Sequence, residues 1–188
     1  MAASAHDAGV RLRRATETDA AAIARIHVAS WRAAYRSELP VAFLAALSET
    51  ERAQQWLQRL AVRETIVMLA ERDGSLVGFC AYGPAHATDS SLTSAWEIYS
   101  LHVAPELRGS GIGSTLFAEA RAHAVGAGAH ELTLWVVATN LPAQRFYTAK
   151  AMHADGEARR RELATDIALN EIRFRLPLEV TPITNCSV

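Results

Sequence analysis

The chain is almost without lysine: among its 19 basic residues only Lys150 is one. A Gly-Lys-Ser/Thr element therefore cannot be written anywhere in it, which excludes a P-loop nucleotide hydrolase and the kinase-like readings that accompany one. Cysteine is also scarce. Cys80 lies in an apolar run and Cys186 in a polar tail, with no CxxC or similar ligand spacing, so free thiols and no metal are expected. Charge of one sign is missing too: 19 basic against 20 acidic residues give a formal net charge of -1. No overall field recruits such a chain to nucleic acid or an anionic membrane, and neither is expected as a partner. The longest apolar runs, residues 65–70 and 132–138, fall far short of the ~20 residues a membrane span needs. Residues 1–9 lack the basic start and apolar stretch of a secretory signal, which predicts a cytoplasmic protein.

What is present is 188 residues, 50% hydrophobic and 21% charged, enough for one well-buried domain and too little for two. The reading is a flexible start over 1–9, a single domain over 10–178 and a tail over 179–188. A short strand is predicted over 10–15. Thr18 or Asp19 then caps a helix on which Ile23, Ile26, His27, Ser30, Trp31 and Ala34 recur at helical spacing. Pro40 suits the start of another short helix, and Ser48 with Glu51 forms a capping box for a helix carrying Trp56, Leu57 and Leu60. Two β-rich runs, 65–71 and 76–82, are joined by Asp73-Gly74, a pair that favours a hairpin. After a loop over 84–94 come a strand over 96–103, a helix from Ile112 to the stop at Gly126 and Gly128, and a strand over 131–137. A short helix then runs through Phe146 and Tyr147, and strands over 152–156 and 169–176 close the chain. The run Arg159-Arg160-Arg161 could meet an anionic partner, but a solvated loop explains it more simply. The pattern is that of an α+β or α/β sheet packed with helices.

The most informative stretch is residues 97–114, a strand, a glycine-rich turn and a helix start. Backbone amides at a helix N-terminus have no internal partners, and the helix dipole adds roughly half a positive charge, so such a turn can hold phosphates. Arg108 adds a fixed cation. A dinucleotide fingerprint is excluded, because G-x-G-x-x-G counted from Gly109 ends on Ser114 and counted from Gly111 ends on Leu116. A plain strand-to-helix turn, with glycines for tightness, is the other reading.

Here the sequence resembles the GNAT superfamily of N-acetyltransferases, whose signature is R/Q-x-x-G-x-G/A; Arg108, Gly111 and Gly113 match it. A second family element, Asn-x-x-A-x-x-F-Y-x-x-x-G-F, is mirrored by Asn140, Ala143, Phe146 and Tyr147, with Ala151 and Met152 replacing the usual Gly-Phe. The resemblance implies a mixed, mostly antiparallel twisted sheet of six to seven strands, flanked by helices on both faces. It implies acetyl-CoA as donor, with the pyrophosphate on the amides of Gly109, Ser110, Gly111, Ile112, Gly113 and Ser114. The pantetheine arm would lie beside Leu101, His102 and Val103, like an added strand. Asn140 could bond the arm or cap the following helix.

The implied reaction is transfer of the acetyl group to a primary amine by direct attack, through a tetrahedral intermediate. A lysine-like amine of pKa ~10.4 must first lose a proton, about 4 kcal/mol uphill at neutral pH, so a base helps. Glu97 is the candidate, with Tyr99 and Glu38 behind it; simple alternation puts His102 on the opposite side of the strand, in a structural role. Tyr147 is the candidate acid for the departing thiolate. Phe146 points about 100° away round the helix and could be buried while Tyr147 faces the cofactor. Trp31, Tyr35, Glu38 and Tyr99 are candidates for acceptor recognition, although Trp31 and Tyr35, four apart on one helix, also suit plain core packing. A small-molecule amine is the expected acceptor and a homodimer the expected assembly. The alternatives are a non-catalytic acyl-CoA sensor and an acetyltransferase for protein N-termini or lysines.

Overall fold

The computed structural model describes residues 9–86 and 94–179. Its strands β1 (Val10–Arg14), β2 (Ile66–Arg72), β3 (Ser75–Pro84), β4 (Ala95–Val103), β5 (Glu131–Val137), β6 (His153–Ala164) and β7 (Ile167–Pro177) form one sheet in the order β1-β2-β3-β4-β5-β7-β6. The helices are α1 (Ala20–Ala34), α2 (Val41–Ala45), α3 (Glu49–Leu60), α4 (Ile112–Gly126) and α5 (Leu141–Thr148). The expected mixed, mostly antiparallel sheet is what is found. β4 and β5 form the one parallel pair among the described strands, and α4 is the crossover that such a pair requires. None of the helices is long and apolar enough to cross a membrane.

Local chemistry explains the boundaries. Asp73 and Gly74 both take positive φ, 52° and 73°, as a tight β2–β3 hairpin demands. Ser48 accepts the Glu51 N–H at 3.2 Å and caps α3. α1 and α3 cover one face, where Ile23, Ala24 and Trp56 pack on Val67, Leu69, Phe79 and Ala81. α4 and α5 cover the other, with Ile112, Leu116, Phe117 and Tyr147 on Cys80, Ile98, Leu134 and Phe174. Each fully buried side chain of this size contributes roughly 1.5–3 kcal/mol, so both layers are firmly held to the sheet.

Three expectations are corrected. The strand predicted over 152–156 continues to Ala164, so Arg159, Arg160 and Arg161 lie in β6 rather than in a loop. Their charge hides the strand: the inner faces of β6 and β7 are zipped by ion pairs, including Arg159 Nε to Glu171 Oε2 at 2.8 Å and Arg173 Nε to Asp155 Oδ2 at 2.7 Å. The 84–94 loop begins later than expected, because Pro84 pairs with Trp96 at the end of β3. In β4 the register slips, so that Tyr82 faces Ile98 while Ala81 faces Ser100. Tyr99 is the extra residue of this bulge, and it reverses the alternation beyond it. His102 consequently lies on the α1 side, stacked 4.6 Å from His27 and 5.3 Å from Phe79, the same side as Glu97.

Ala151, which replaces the glycine of the second family element, sits at φ 64°, and Met152 behind it is fully buried. The turn has thus kept its left-handed geometry with a side chain there, at about 1–2 kcal/mol of strain. At Gly83 a side chain cannot enter. A Cβ there would lie 2.5 Å from the Glu64 carbonyl oxygen and 2.9 Å from the Tyr99 hydroxyl. Gly83→Ala is expected to destabilise the fold by about 1–3 kcal/mol in a denaturant titration, since backbone must move to admit the methyl.

Candidate active site

The site begins where two strands part. β4 pairs with β3 as far as Val103 but with β5 only as far as Ile98, opposite Leu134. β5 turns away because its other edge is committed to β7 through Val137, while the bulge at Tyr99 adds twist to β4. Residues 99–103 are left with one edge uncovered. The Ala104 N–H bonds the Val77 carbonyl at 2.9 Å, so by alternation the peptide groups of Leu101 and Val103 turn away from β3, toward the gap. The Val103 carbonyl is already occupied, accepting from Ser30 Oγ at 3.1 Å. The Leu101 peptide and the Val103 N–H are left without a backbone partner among the described residues.

The uncovered edge runs directly into the glycine turn. Gly109 and Gly111 adopt φ 81° and 90°, and Gly111 is the N-cap of α4 with no side chain capping it. The open set of amides is narrower than expected. The Ser110 N–H bonds Leu107 O at 3.3 Å and the Ser114 N–H bonds Gly111 O at 2.9 Å, whereas the N–H groups of Gly109, Gly111, Ile112 and Gly113 have no backbone partner among the described residues. Four amides at the positive end of a helix form an anion cradle. Arg108 flanks it, tethered through Nη2 to the Ser30 carbonyl at 3.4 Å. Ser30, which sequence reasoning passed over as one residue of an apolar face, thus joins α1 to both the strand end and the cradle. Because left-handed backbone is costly for a β-branched side chain, Gly111→Val is expected to raise the KM for acetyl-CoA at least about tenfold. Acetyl-CoA titrations of initial rate check this.

Glu97 is buried at 8% exposure. Burial pushes its pKa above the ordinary carboxylate range, and His86 and Arg159 only partly counter this. Tyr99 donates its hydroxyl to the Pro84 carbonyl and stacks on His86 at 4.9 Å; burial lifts its pKa to about 12. His102 is held down to about 3, by burial first and then by Arg108, so it is neutral and its side chain faces the α1 layer rather than the gap.

Of the two α5 aromatics, Tyr147 is the buried one and Phe146 the half-exposed one, whereas Phe146 was expected to be the buried one. Both rings pack against Phe117 at 6.4 Å, Tyr147 also meets Phe174 at 6.5 Å, and Phe146 carries the Lys150 ammonium 5.5 Å from its ring centroid. Burial raises the Tyr147 pKa, with Cys80 and Tyr35 next in effect. The Cys80 thiol, fully buried nearby, is pushed up for the same reason. Asn140 caps α5, its Oδ1 accepting from the Ala143 N–H at 3.1 Å, and its side chain also interacts with the Tyr35 hydroxyl. Trp31 and Tyr35 meet edge to face at 5.1 Å beside this group. Glu38, by contrast, is engaged at the surface by Ser37, whose hydroxyl donates to it at 3.0 Å.

A sheet parted in this way beside a helix-capping glycine turn suits an extended ligand with an anionic end. The family model for the acetyltransferase (GNAT) family matches residues 21–153, most of the domain, and the chain belongs to that family. It is 32% identical over 141 residues to an uncharacterized N-acetyltransferase of Archaeoglobus fulgidus, covering 75% of this chain and 91% of that one. Among solved structures it is similar to a ribosomal-protein-alanine N-acetyltransferase from Brucella melitensis, at 27% identity and a TM-score of 0.68, covering 89% of this chain and 99% of that one. It is also similar to the PaiA N-acetyltransferase of Thermoplasma acidophilum in complex with coenzyme A, at 16% identity and a TM-score of 0.70, covering 90% and 99%.

Proposed function

We propose that this enzyme transfers the acetyl group of acetyl-CoA to the nitrogen of a primary amine, without an acyl-enzyme. The observation that carries the reading is the continuity of the uncovered β4 edge at residues 99–103 with the open amides of Gly109, Gly111, Ile112 and Gly113. The edge suits an extended amide-bearing arm and the cradle a diphosphate, at the two ends of one groove. The coenzyme A bound by the PaiA relative supports the same assignment.

In this reading the neutral amine attacks the thioester carbonyl from the α1 side, and Glu97 accepts the nitrogen's proton directly or through water. A backbone N–H of the uncovered edge polarises the carbonyl oxygen. The carbon–sulfur bond then breaks, and Tyr147 donates its phenolic proton to sulfur. In water that donation is uphill by ~1.5 pKa units, about 2 kcal/mol. Burial raises the Tyr147 phenol, and a thiol in the same surroundings is pushed up as well, as Cys80 illustrates, so both partners of the transfer shift in the same direction. Trp31, Tyr35 and Tyr99 border the acceptor side.

Release of free CoA thiol across a panel of amines tests the proposal. Absence of release with every amine, together with no heat of CoA binding, would reject it. CoA binding without turnover would instead identify an acyl-CoA sensor. The ribosomal-protein-alanine relative favours a second reading, acetylation of protein N-termini. Turnover of peptides alone would select that one.

A further inference from the structure

Guanidinium groups gather on the α1 side of the sheet in excess of their counter-charges. Arg52 of α3 and Arg161 of β6 converge on the same indole, lying 5.7 Å and 5.3 Å from the Trp31 ring centroid. Arg59, about two turns further along α3, lies 5.3 Å over Trp56. The carboxylate that meets this cluster is Glu171, which is buried and already shared: Arg159 takes Oε2 at 2.8 Å, and Arg161 Nε stands 3.2 Å from Oε1. Arg161 Nε is nonetheless buried without an aligned hydrogen bond. Arg52 donates to neutral Gln55 at 2.8 Å, and neither Arg52 nor Arg59 has an ion-pair partner among the described residues. Arg52, Arg59, Arg159 and Arg161 thus outnumber the two carboxylates they meet, Glu171 and Glu97, around the buried rings of Trp31 and Trp56. Like charges held this close repel, and the arrangement is relieved when an anion joins it.

The cluster adjoins the reacting groups. Arg159 and Glu171 both act on the Glu97 carboxyl, while Arg161 and Glu171 act on the Tyr35 phenol, which in turn acts on Tyr147. We infer that Arg52 and Arg161, which both approach Trp31, bind a carboxylate carried by the acceptor itself, so that the preferred substrate is a small amine bearing an acid group, of the amino-acid type. This rests on the acetyltransferase reading above. A guanidinium pair selects a planar carboxylate by paired N–H donors, and an indole beside it excludes water that would otherwise compete. The anion would anchor the molecule and leave its amine to be aimed at the base.

The test compares amino acids with their α-amides and with dipeptides, for turnover and for binding to the CoA complex by calorimetry. In the wild type, kcat/KM for the free acid should exceed that for its amide by at least about tenfold, although the amide's amine is the less basic and more readily deprotonated. Arg52→Gln, on a half-exposed helix position, should bring that ratio toward one, mainly through KM for the acid, and leave CoA affinity intact; Arg52→Lys should restore part of it. Equal use of acid and amide, or a ratio untouched by Arg52→Gln, would overturn the inference while turnover itself stands. A dipeptide preferred over the amino acid would also overturn it. Should no amine turn over, calorimetry still decides: acid binding that Arg52→Gln abolishes upholds the anion site after the acetyltransferase reading has failed.

Discussion

Glu97→Gln is expected to lower kcat/KM for the amine by about 10²–10⁴-fold, the usual contribution of a positioned base, and to raise the melting temperature at pH 7. Both effects come from one cause. The carboxyl is buried at the edge of the parted strands, and burial raises its pKa above the ordinary value. Its charge is disfavoured in the fold relative to the unfolded chain. For a carboxyl whose folded pKa is the higher one, the folded state binds more protons between the two values, so stability rises as pH falls through the folded pKa. Glutamine removes the penalty at pH 7, and the advantage should vanish below the ordinary carboxylate range. The pH–rate profile supplies the kinetic check. Log kcat/KM for the wild type should fall with unit slope below the amine's pKa and with a slope of two below that of Glu97. The Gln variant should keep unit slope throughout. A variant with undiminished rate would remove Glu97 from the chemistry.

Tyr147→Phe is expected to lower kcat by about 10²-fold with little change in KM for acetyl-CoA, because the lost group acts as the thiolate departs rather than when the donor binds. The ring stays buried against Phe117, Phe146 and Phe174, and among the described residues no hydrogen bond to its hydroxyl is broken, so the melting temperature should hold. That separation of rate from stability distinguishes a proton donor from a packing residue. Single-turnover release of CoA thiol measures it. A kcat within about twofold of wild type would assign sulfur protonation to solvent.

The arginines of β6 illustrate where local reading stops. Three consecutive arginines carry no apolar alternation, and burial is the signal by which a strand is found in sequence. Here the inward positions, Arg159 and Arg161, meet Glu171 and the rings of Trp135 and Trp31, partners from three other elements. Had residues 159–161 been assigned to a strand, the same two-residue period would have put Arg159 and Arg161 on one face, and Glu171 and Arg173 on one face of β7. His102 is the second case. Simple alternation from Glu97 carries it to the far side, and one inserted residue at Tyr99 brings it back.

By itself the sequence determined the succession of strands and helices, the glycine turn that opens α4 and the aromatic pair on α5, because capping, turn chemistry and periodicity act within a few residues of one another. Tertiary structure decided which face of β4 meets α1, how far β4 and β5 stay paired, which amides of the turn remain open, and that arginines from α3 and β6 share one indole. Each of these depends on register between segments distant in the chain. Register is set by cross-strand pairing and by the packing of both sheet faces, neither of which a local window contains.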